Sequence, residues 1–256
     1  MFKVLRIFIL LTVLIIVAGS SYLTKIRTTD WDNALWVSIY PINADQSKVT
    51  ENYIKQLKVD DFQDIKDFIA EEAEYYKIPI TEPVIVNIAP EVTSIPPPPP
   101  TTHSVINVML WSLKLRYWAY KNNTDTGPDP DVKIYVVFND PEKIKKLPHS
   151  LGLEKGLIGV VHAFAGRRYT RRNNVIVAHE LLHTLGAKDK YDLATGLPIF
   201  PIGFANPEND PLYPQNRAEI MAGRIPINEN VANFPKSLYR VVIGKTTAQE
   251  INWIKD

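Results

Sequence analysis

Cysteine is absent from the 256 residues of the chain, and its absence narrows the chemistry that the protein can perform. Disulfide scaffolds, cysteine-ligated zinc sites and thiol nucleophiles are excluded, because each needs a sulfur atom that no residue supplies. A metal ion would have to be held by histidine, aspartate or glutamate. Histidine is itself scarce, at five residues, so a regular spacing between two of them is informative.

The sequence also lacks an excess of charge of either sign. Its 29 Lys and Arg residues nearly balance its 28 Asp and Glu residues, which leaves a formal net charge of +1. Nucleic-acid-binding proteins concentrate basic side chains on one surface, whereas the largest basic cluster here is four arginines within residues 167–172. We therefore expect no nucleic-acid partner. A hydrophobic fraction of 45% indicates a globular protein with one sizeable domain.

One long apolar run stands near the N-terminus. Two basic residues precede residues 7–18, which read IFILLTVLIIVA, and small residues follow at 18–20. This is the pattern of a signal peptide, but the stretch to residue 23 is also just long enough to cross a bilayer. We predict that residues 1–23 are a signal peptide or a membrane anchor. Residues 24–256 would then be extracytoplasmic, either secreted or held at the membrane through residues 7–23.

Hydrophobic periodicity predicts strands and helices that alternate irregularly along the first two thirds of the chain. Strands are expected at 31–41, 83–89, 131–139 and 157–165. Helices are expected at 62–77, 104–120, 175–185 and 247–254. The helix at 104–120 is apolar on most sides, which predicts that it is well buried. Residues 187–237 are rich in Pro, Gly and Asn, so the pattern predicts an α+β domain of two lobes with an irregular C-terminal half.

Five consecutive prolines at 96–100 interrupt this pattern. They exclude helix and inner strand and require an extended polyproline conformation. A stiff surface connection accounts for them, and a binding motif for a partner protein is the alternative.

The motif that carries the chemistry is HELLH at residues 179–183. Positions i and i+4 share one face of a helix, so His179 and His183 can bind one metal ion. Glu180, beside the first ligand, can take a proton from a metal-bound water and deliver it to a leaving amine. Chance would produce this pattern about 0.006 times in a chain of this composition, which favours a metal site over two unrelated histidines.

A catalytic zinc site needs a third protein ligand and one position for water. Gly186 can end the helix and reverse the chain through a positive φ, which lets Asp189 return to the metal. Asp192 is the alternative third ligand, and otherwise a carboxylate that caps a turn. The complete string is HELLHTLGAKD.

This string resembles the extended motif of the metzincin metallopeptidases, H-E-x-x-H-x-x-G-x-x-H, in the variant with Asp at the last position. It is similar to the snapalysin and immune-inhibitor-A types. The resemblance implies a zincin domain over 24–256 with a mixed sheet, an active-site helix at about 175–185, an irregular lobe at about 187–256 and bound Zn²⁺. It also implies that Met221 forms a Met-turn beneath the metal.

The strand VVHAFAG is similar to the edge strand that binds substrate in matrixins. The resemblance implies that the backbone of Val161 and Ala163 pairs with an extended peptide. His162 in this strand is interpreted as a strand side chain rather than as a ligand of a structural metal. Some metzincins have a tyrosine two residues after the Met-turn methionine, where this chain has Gly223; Tyr191 and Arg224 are the open alternatives for that role.

These features predict a monomeric zinc metalloendopeptidase that hydrolyses protein or peptide substrates. Two alternatives stay open. One is a zinc hydrolase for a non-standard substrate such as a cell-wall peptide, and the other is a non-catalytic metal-binding surface protein. Glu180 favours catalysis, because a structural metal site needs ligands but no general base.

Overall fold

The computed structural model describes residues 27–101 and 104–255, together with residues 6–8, 11–12 and 19. The signal peptide or membrane anchor predicted at 1–23 lies largely outside these residues. Among those that are described, no helix is both long enough and apolar enough to cross a membrane.

A mixed sheet of five strands forms the centre of the fold, and it confirms the α+β class. The strands are β1 (Leu35–Asn43), β2 (Val84–Ile88), β3 (Val132–Asn139), β4 (Leu151–Leu153) and β5 (Ile158–Phe164). Their spatial order is β2-β1-β3-β5-β4. Neighbours are parallel except β4, which pairs antiparallel with β5 at one edge. The inner strands read as continuous apolar runs because both faces of the sheet are covered.

Helices cover the two faces unequally. They are α1 (Lys48–Lys55), α2 (Gln63–Tyr75), α3 (Val105–Lys121), α4 (Thr170–Thr184) and α5 (Lys245–Glu250). Helices α1, α2, α4 and α5 share one apolar core with one face of the sheet, whereas α3 packs on the other face. Helix α1 was not predicted. Its N-terminus is capped by Ser47, whose hydroxyl accepts the N–H of Thr50 at 3.1 Å.

Helix α4 begins at Thr170, earlier than the predicted start at 175. Asn173 and Asn174, which precede the predicted start, lie inside the helix and are buried. The Asn173 amide donates to the carbonyl of Phe164 at 3.0 Å, and that of Asn174 donates to the carbonyl of Asp61 at 2.8 Å. These tertiary hydrogen bonds satisfy side chains that would otherwise favour a helix end.

The predicted burial of α3 is wrong. Its only fully buried side chains are Leu115 and Ala119, which pack against Tyr40 and Tyr135 on the sheet. Trp111 and Trp118 are partly buried against the same cluster, whereas the other large apolar side chains of the helix are exposed.

The C-terminal segment is irregular, as predicted. It contains four short strands, β6 (Ala218–Glu219), β7 (Ile225–Asn228), β8 (Val231–Asn233) and β9 (Val241–Val242), which form two separate pairs. Ile220, Met221, Ile251 and Trp253 of this segment belong to the same apolar core as α4. The segment therefore forms a wall packed against the helix that carries the motif.

Candidate metal centre

Three side chains converge at the C-terminal end of α4. His179 and His183 lie one turn apart on the helix, and Asp189 returns from the segment after it. The Asp189 Oδ1 atom lies 3.3 Å from Nε2 of His179 and 3.1 Å from Nε2 of His183. One candidate ligand atom from each residue lies within 4.8 Å of the others. The structure thus brings the predicted donors together.

The chain reversal that returns Asp189 is a Schellman motif at the end of α4. Gly186 has φ +105°, the left-handed region in which glycine is favoured. The Ala187 N–H donates to the Leu182 carbonyl and the Gly186 N–H to the His183 carbonyl, both at 3.1 Å. Glycine at 186 therefore serves the reversal that the sequence predicted.

Both imidazole rings are oriented by backbone carbonyls. The Nδ1 atom of His179 lies 2.8 Å from the oxygen of Ile220, and Nδ1 of His183 lies 2.7 Å from the oxygen of Ala187. A carbonyl can only accept, so each Nδ1 carries the hydrogen, and each Nε2 faces the shared site. This is the arrangement by which proteins orient histidine ligands. Together with an anionic carboxylate, the two Nε2 atoms form a donor set that fits zinc.

Electrostatic attraction couples the three groups. Burial opposes the charged form of His179, but the hydrogen bond that protonated His179 donates to Asp189, together with the nearby Glu180 charge, outweighs it and raises the pKa of His179 to about 9. Burial also disfavours the charged form of Asp189, yet hydrogen bonds from the two histidines hold its pKa well below the usual range. Asp189 is therefore anionic at neutral pH, as a metal ligand must be.

Asp192, the alternative third ligand, lies elsewhere. It is exposed, and its Oδ1 accepts the N–H of Ala194 at 3.1 Å and the N–H and hydroxyl of Thr195, each at 2.8 Å. These bonds make it a carboxylate that caps a turn. It does not belong to the cluster formed by the two histidines and Asp189.

Glu180 is buried, with 5% of its surface exposed. Its Oε2 atom is buried without a hydrogen-bond partner among the residues described. Burial raises the pKa of this carboxyl, although the two neighbouring histidines oppose that effect. Unpartnered buried polar atoms are rare in native proteins, and one beside three convergent donors indicates a reactive role rather than a structural one.

The expected role of Val161 and Ala163 at a sheet edge is wrong. Strand β5 is an inner strand, with these residues in register with Val136 and Phe138 of β3. The N–H of Ala165 donates to β3, and backbone groups in a strand alternate in direction. Those of Val161 and Ala163 therefore also face β3. The edge is β4, a three-residue strand too short to show periodicity.

Gly152 fixes the distance between β4 and α4. A Cβ atom at this position would lie 2.5 Å from Cβ of His183 and 2.6 Å from the carbonyl oxygen of Glu180. The edge strand therefore passes directly over the turn of α4 that carries the candidate metal ligands. Glycine between two apolar residues was the only sequence signal of this contact.

We expect Gly152→Ala to destabilise the protein by about 1–3 kcal/mol, because the added methyl group forces the strand away from the helix. Thermal unfolding of the two proteins measures the effect. Gly127→Ala is the matched control, since a Cβ there meets only Asp125 Oδ1, at 3.4 Å. Equal unfolding temperatures for Gly152→Ala and the wild type would contradict the tight contact.

Met221 lies in a tight turn directly after Ile220, whose carbonyl contacts His179, and is fully buried. The N–H of Gly223 donates to the Glu219 carbonyl at 3.0 Å, and Gly223 has φ +67°. Glycine is thus suited to this left-handed position. The Met221 carbonyl accepts the N–H of Lys190 at 3.0 Å, so this turn contacts the segment that carries Asp189 as well as the ring of His179.

The carboxylate of Glu219, which sequence reasoning missed as a structural residue, holds this turn. It is completely buried and accepts the N–H of Ala222 at 2.9 Å, the N–H of Gly244 at 3.2 Å and the hydroxyl of Thr247 at 2.5 Å. These bonds connect the turn that orients His179 to helix α5.

A buried ion pair holds the segment on the other side of the site. The Lys190 side chain is 1% exposed, and its Nζ donates to Oε2 of Glu250 at 2.6 Å and to the carbonyl of Lys188 at 3.0 Å. The same Glu250 oxygen accepts the N–H of Lys188 at 3.0 Å. Helix α5 therefore also positions the backbone on both sides of Asp189.

We expect Lys190→Met to lower the free energy of unfolding by about 3 kcal/mol, because it leaves the Glu250 carboxylate without its cation. Urea unfolding measures the loss. The double variant Lys190→Met, Glu250→Gln should be more stable than Lys190→Met alone, since it removes the uncompensated charge and keeps an acceptor for Lys188. If the double variant lost as much stability as the two single variants together, this coupling would be contradicted.

Tyr191 follows Asp189 by two residues and feels its charge. Burial and the Asp189 charge raise the pKa of Tyr191 to about 12, although Arg224 opposes the shift. Tyr191 is therefore a protonated donor at neutral pH.

His162 is half-buried on β5, and its backbone N–H donates to the Ser150 hydroxyl at 3.0 Å. It is not part of the donor cluster.

No protein-family model matches the chain, and no curated protein matches it.

Proposed function

We propose that the protein is a zinc-dependent metalloendopeptidase of the metzincin kind, in which His179, His183 and Asp189 hold the metal and Glu180 is the general base. The observation that carries the proposal is the buried, unpartnered oxygen of Glu180 beside three convergent donors. The orientation of both Nε2 atoms and the neutral-pH charge of Asp189 support it. So does the buried turn at Met221, which directly follows the residue whose carbonyl contacts His179.

Zinc held by these residues supplies a Lewis acid that polarises a peptide carbonyl and lowers the pKa of water to about 7. Glu180 takes the proton of the attacking water and passes it to the leaving nitrogen. Its burial suits both steps, because burial raises the pKa of the Glu180 carboxyl and makes it a better proton acceptor than an exposed glutamate.

Tyr191 is assigned to the tetrahedral intermediate. Its hydroxyl lies near the Asp189 charge and is protonated at neutral pH, so it can donate to an oxyanion that forms beside the metal ligands. Arg224, whose charge acts on Tyr191, supports the same negative charge. In this assignment Tyr191 takes the role of the tyrosine that some metzincins have two residues after the Met-turn methionine, where this chain has Gly223.

The substrate peptide is proposed to bind along β4. Within the part of the chain that is described, β4 pairs with β5 on one side only, so its outer backbone groups are those that an added strand can use. Gly152 keeps this edge against Glu180 and His183, which sets a bound peptide close to the reacting groups. The enzyme would act outside the cytoplasm, as a monomer.

Cleavage of a peptide library by the full chain tests the proposal. The zinc-loaded protein is incubated with the library, and mass spectrometry identifies the products; a parallel sample contains the chelator 1,10-phenanthroline. We expect cleavage that the chelator abolishes and that added zinc restores. A protein that binds one zinc ion per chain and cleaves no peptide would contradict the assignment as an endopeptidase.

A further inference from the structure

Helix α3 exposes far more apolar surface than the other helices of the domain. Eight of its large apolar side chains are at least 43% exposed: Val105, Ile106, Val108, Met109, Leu110, Leu113, Tyr117 and Tyr120. Monomeric soluble proteins rarely expose a contiguous apolar patch of this kind unless it has an interaction role. The metal centre makes no use of this helix, which lies on the opposite face of the sheet.

The exposed residues are concentrated in the first half of α3. Every residue from 105 to 110 is exposed, whereas Leu115 and Ala119, further along, are buried against the sheet. The indole N–H of Trp111 donates to the Pro97 carbonyl at 3.0 Å, and that of Trp118 to the Ser94 hydroxyl at 2.9 Å. The helix is thus held to the body by its second half and by the proline segment, and its first half projects.

The charged residues of this helix are all basic: Lys114, Arg116 and Lys121. No acidic residue occurs between Glu91 and Asp125, although the chain as a whole has almost equal numbers of acidic and basic residues. Lys114 and Lys121 are exposed on α3. Helix α2, on the other face of the sheet, instead exposes acidic side chains. The surface that complements α3 is therefore apolar and negatively charged.

We infer that α3 docks on an anionic lipid bilayer, with the side chains of residues 105–110 among the acyl chains and its lysines at the headgroups. Apolar side chains at five of the six exposed positions 105–110 favour lipid, which surrounds an inserted helix end. A protein partner would instead cover one side and meet a polar rim. Basic residues beside an apolar helical surface are the pattern of interfacial membrane binding. The inference does not depend on peptidase activity.

The absence of cysteine makes a site-specific test direct. Met109 is 56% exposed on α3. The full chain with Met109→Cys is labelled at the cysteine with an environment-sensitive fluorophore. The labelled protein is reconstituted in vesicles of equal parts phosphatidylcholine and phosphatidylglycerol. Val49→Cys is the matched control, since Val49 is 52% exposed on α1, on the opposite side of the sheet. Brominated lipids quench a probe in the bilayer, and iodide quenches a probe in water.

We expect the probe at 109 to be quenched by brominated lipid and shielded from iodide, and the probe at 49 to show the reverse. Equal iodide quenching at both sites overturns the inference. Shielding at 109 from both quenchers also overturns it, because a second copy or another protein would then cover the helix. Each labelled variant must unfold at the same temperature as the wild type, so that misfolding cannot produce the result.

A second experiment tests the contribution of the lysines of α3 to docking on the bilayer. Lys114→Gln with Lys121→Gln should shift the docking equilibrium roughly 30-fold toward the undocked state at low salt, since each basic residue near an anionic surface contributes about a factor of five. Lipid quenching at 109 reports the shift. The control pair Lys48→Gln with Lys236→Gln, exposed on the other side of the sheet, should leave it unchanged. Equal effects of the two pairs, or no loss with either, overturn the assignment to an anionic surface.

Discussion

Glu180→Gln is expected to lower kcat/KM for peptide hydrolysis by about 10²–10⁴-fold, the usual contribution of a positioned general base. Glutamine keeps the size of the buried side chain but cannot accept a proton from water at neutral pH. Zinc content should stay at one ion per chain, because Glu180 is not among the converging donors. Initial rates on a peptide identified in the library experiment, with metal analysis of the same sample, measure both quantities.

Glu208→Gln is the control for this experiment. It makes the same chemical change at an exposed glutamate outside the donor cluster, so its activity should equal that of the wild type. Full activity of the Glu180 variant would refute the mechanism. Loss of zinc together with loss of activity would instead mean that Glu180 is a ligand, which also contradicts the assigned role.

Asp189→Asn is expected to weaken zinc binding by more than about 100-fold at neutral pH. The substitution removes the negative charge that both histidine Nε2 atoms face at 3.1–3.3 Å. Loss of a residue that only supports a ligand costs 10–100-fold in metal affinity, and loss of a ligand should exceed that. Competition with a chromophoric chelator gives the affinity directly, independent of any substrate.

Asp192→Asn provides a matched control three residues further along the chain. Its carboxylate caps a turn at Ala194 and Thr195, so zinc affinity should be unchanged and any effect should be on the local turn. The opposite pattern, with Asp192→Asn losing zinc and Asp189→Asn retaining it, would transfer the third-ligand role to Asp192.

Most of the regular elements could be predicted because their signals are local. The periodicity of 62–77 and the apolar runs at 131–139 and 157–165 gave a helix and two strands in their observed places. Strand β4 was not predicted, because three residues are too few to show the alternation of apolar and polar side chains. Helix α3 was placed correctly but its burial was not, since an apolar helix in sequence has the same pattern whether protein, lipid or water lies against it.

The sequence by itself determined the parts of the site that depend on neighbours along the chain. Histidines four residues apart on a helix, and a glycine at 186 that permits a left-handed turn, follow from backbone geometry alone. The choice of Asp189 over Asp192 needed the tertiary structure, because both carboxylates follow that turn and only the path of the chain brings one to the histidines.

Tertiary structure also decided which groups orient the site. The Ile220 carbonyl that holds His179 is 41 residues away, and Glu250, which holds Lys190, is 60 residues away. Neither partner is marked by any local pattern. The position of β4 at the sheet edge, where Gly152 contacts α4, likewise depends on tertiary packing. Periodicity reports only the contacts that a segment makes within its own helix or strand, whereas these contacts depend on how distant segments pack in a common core.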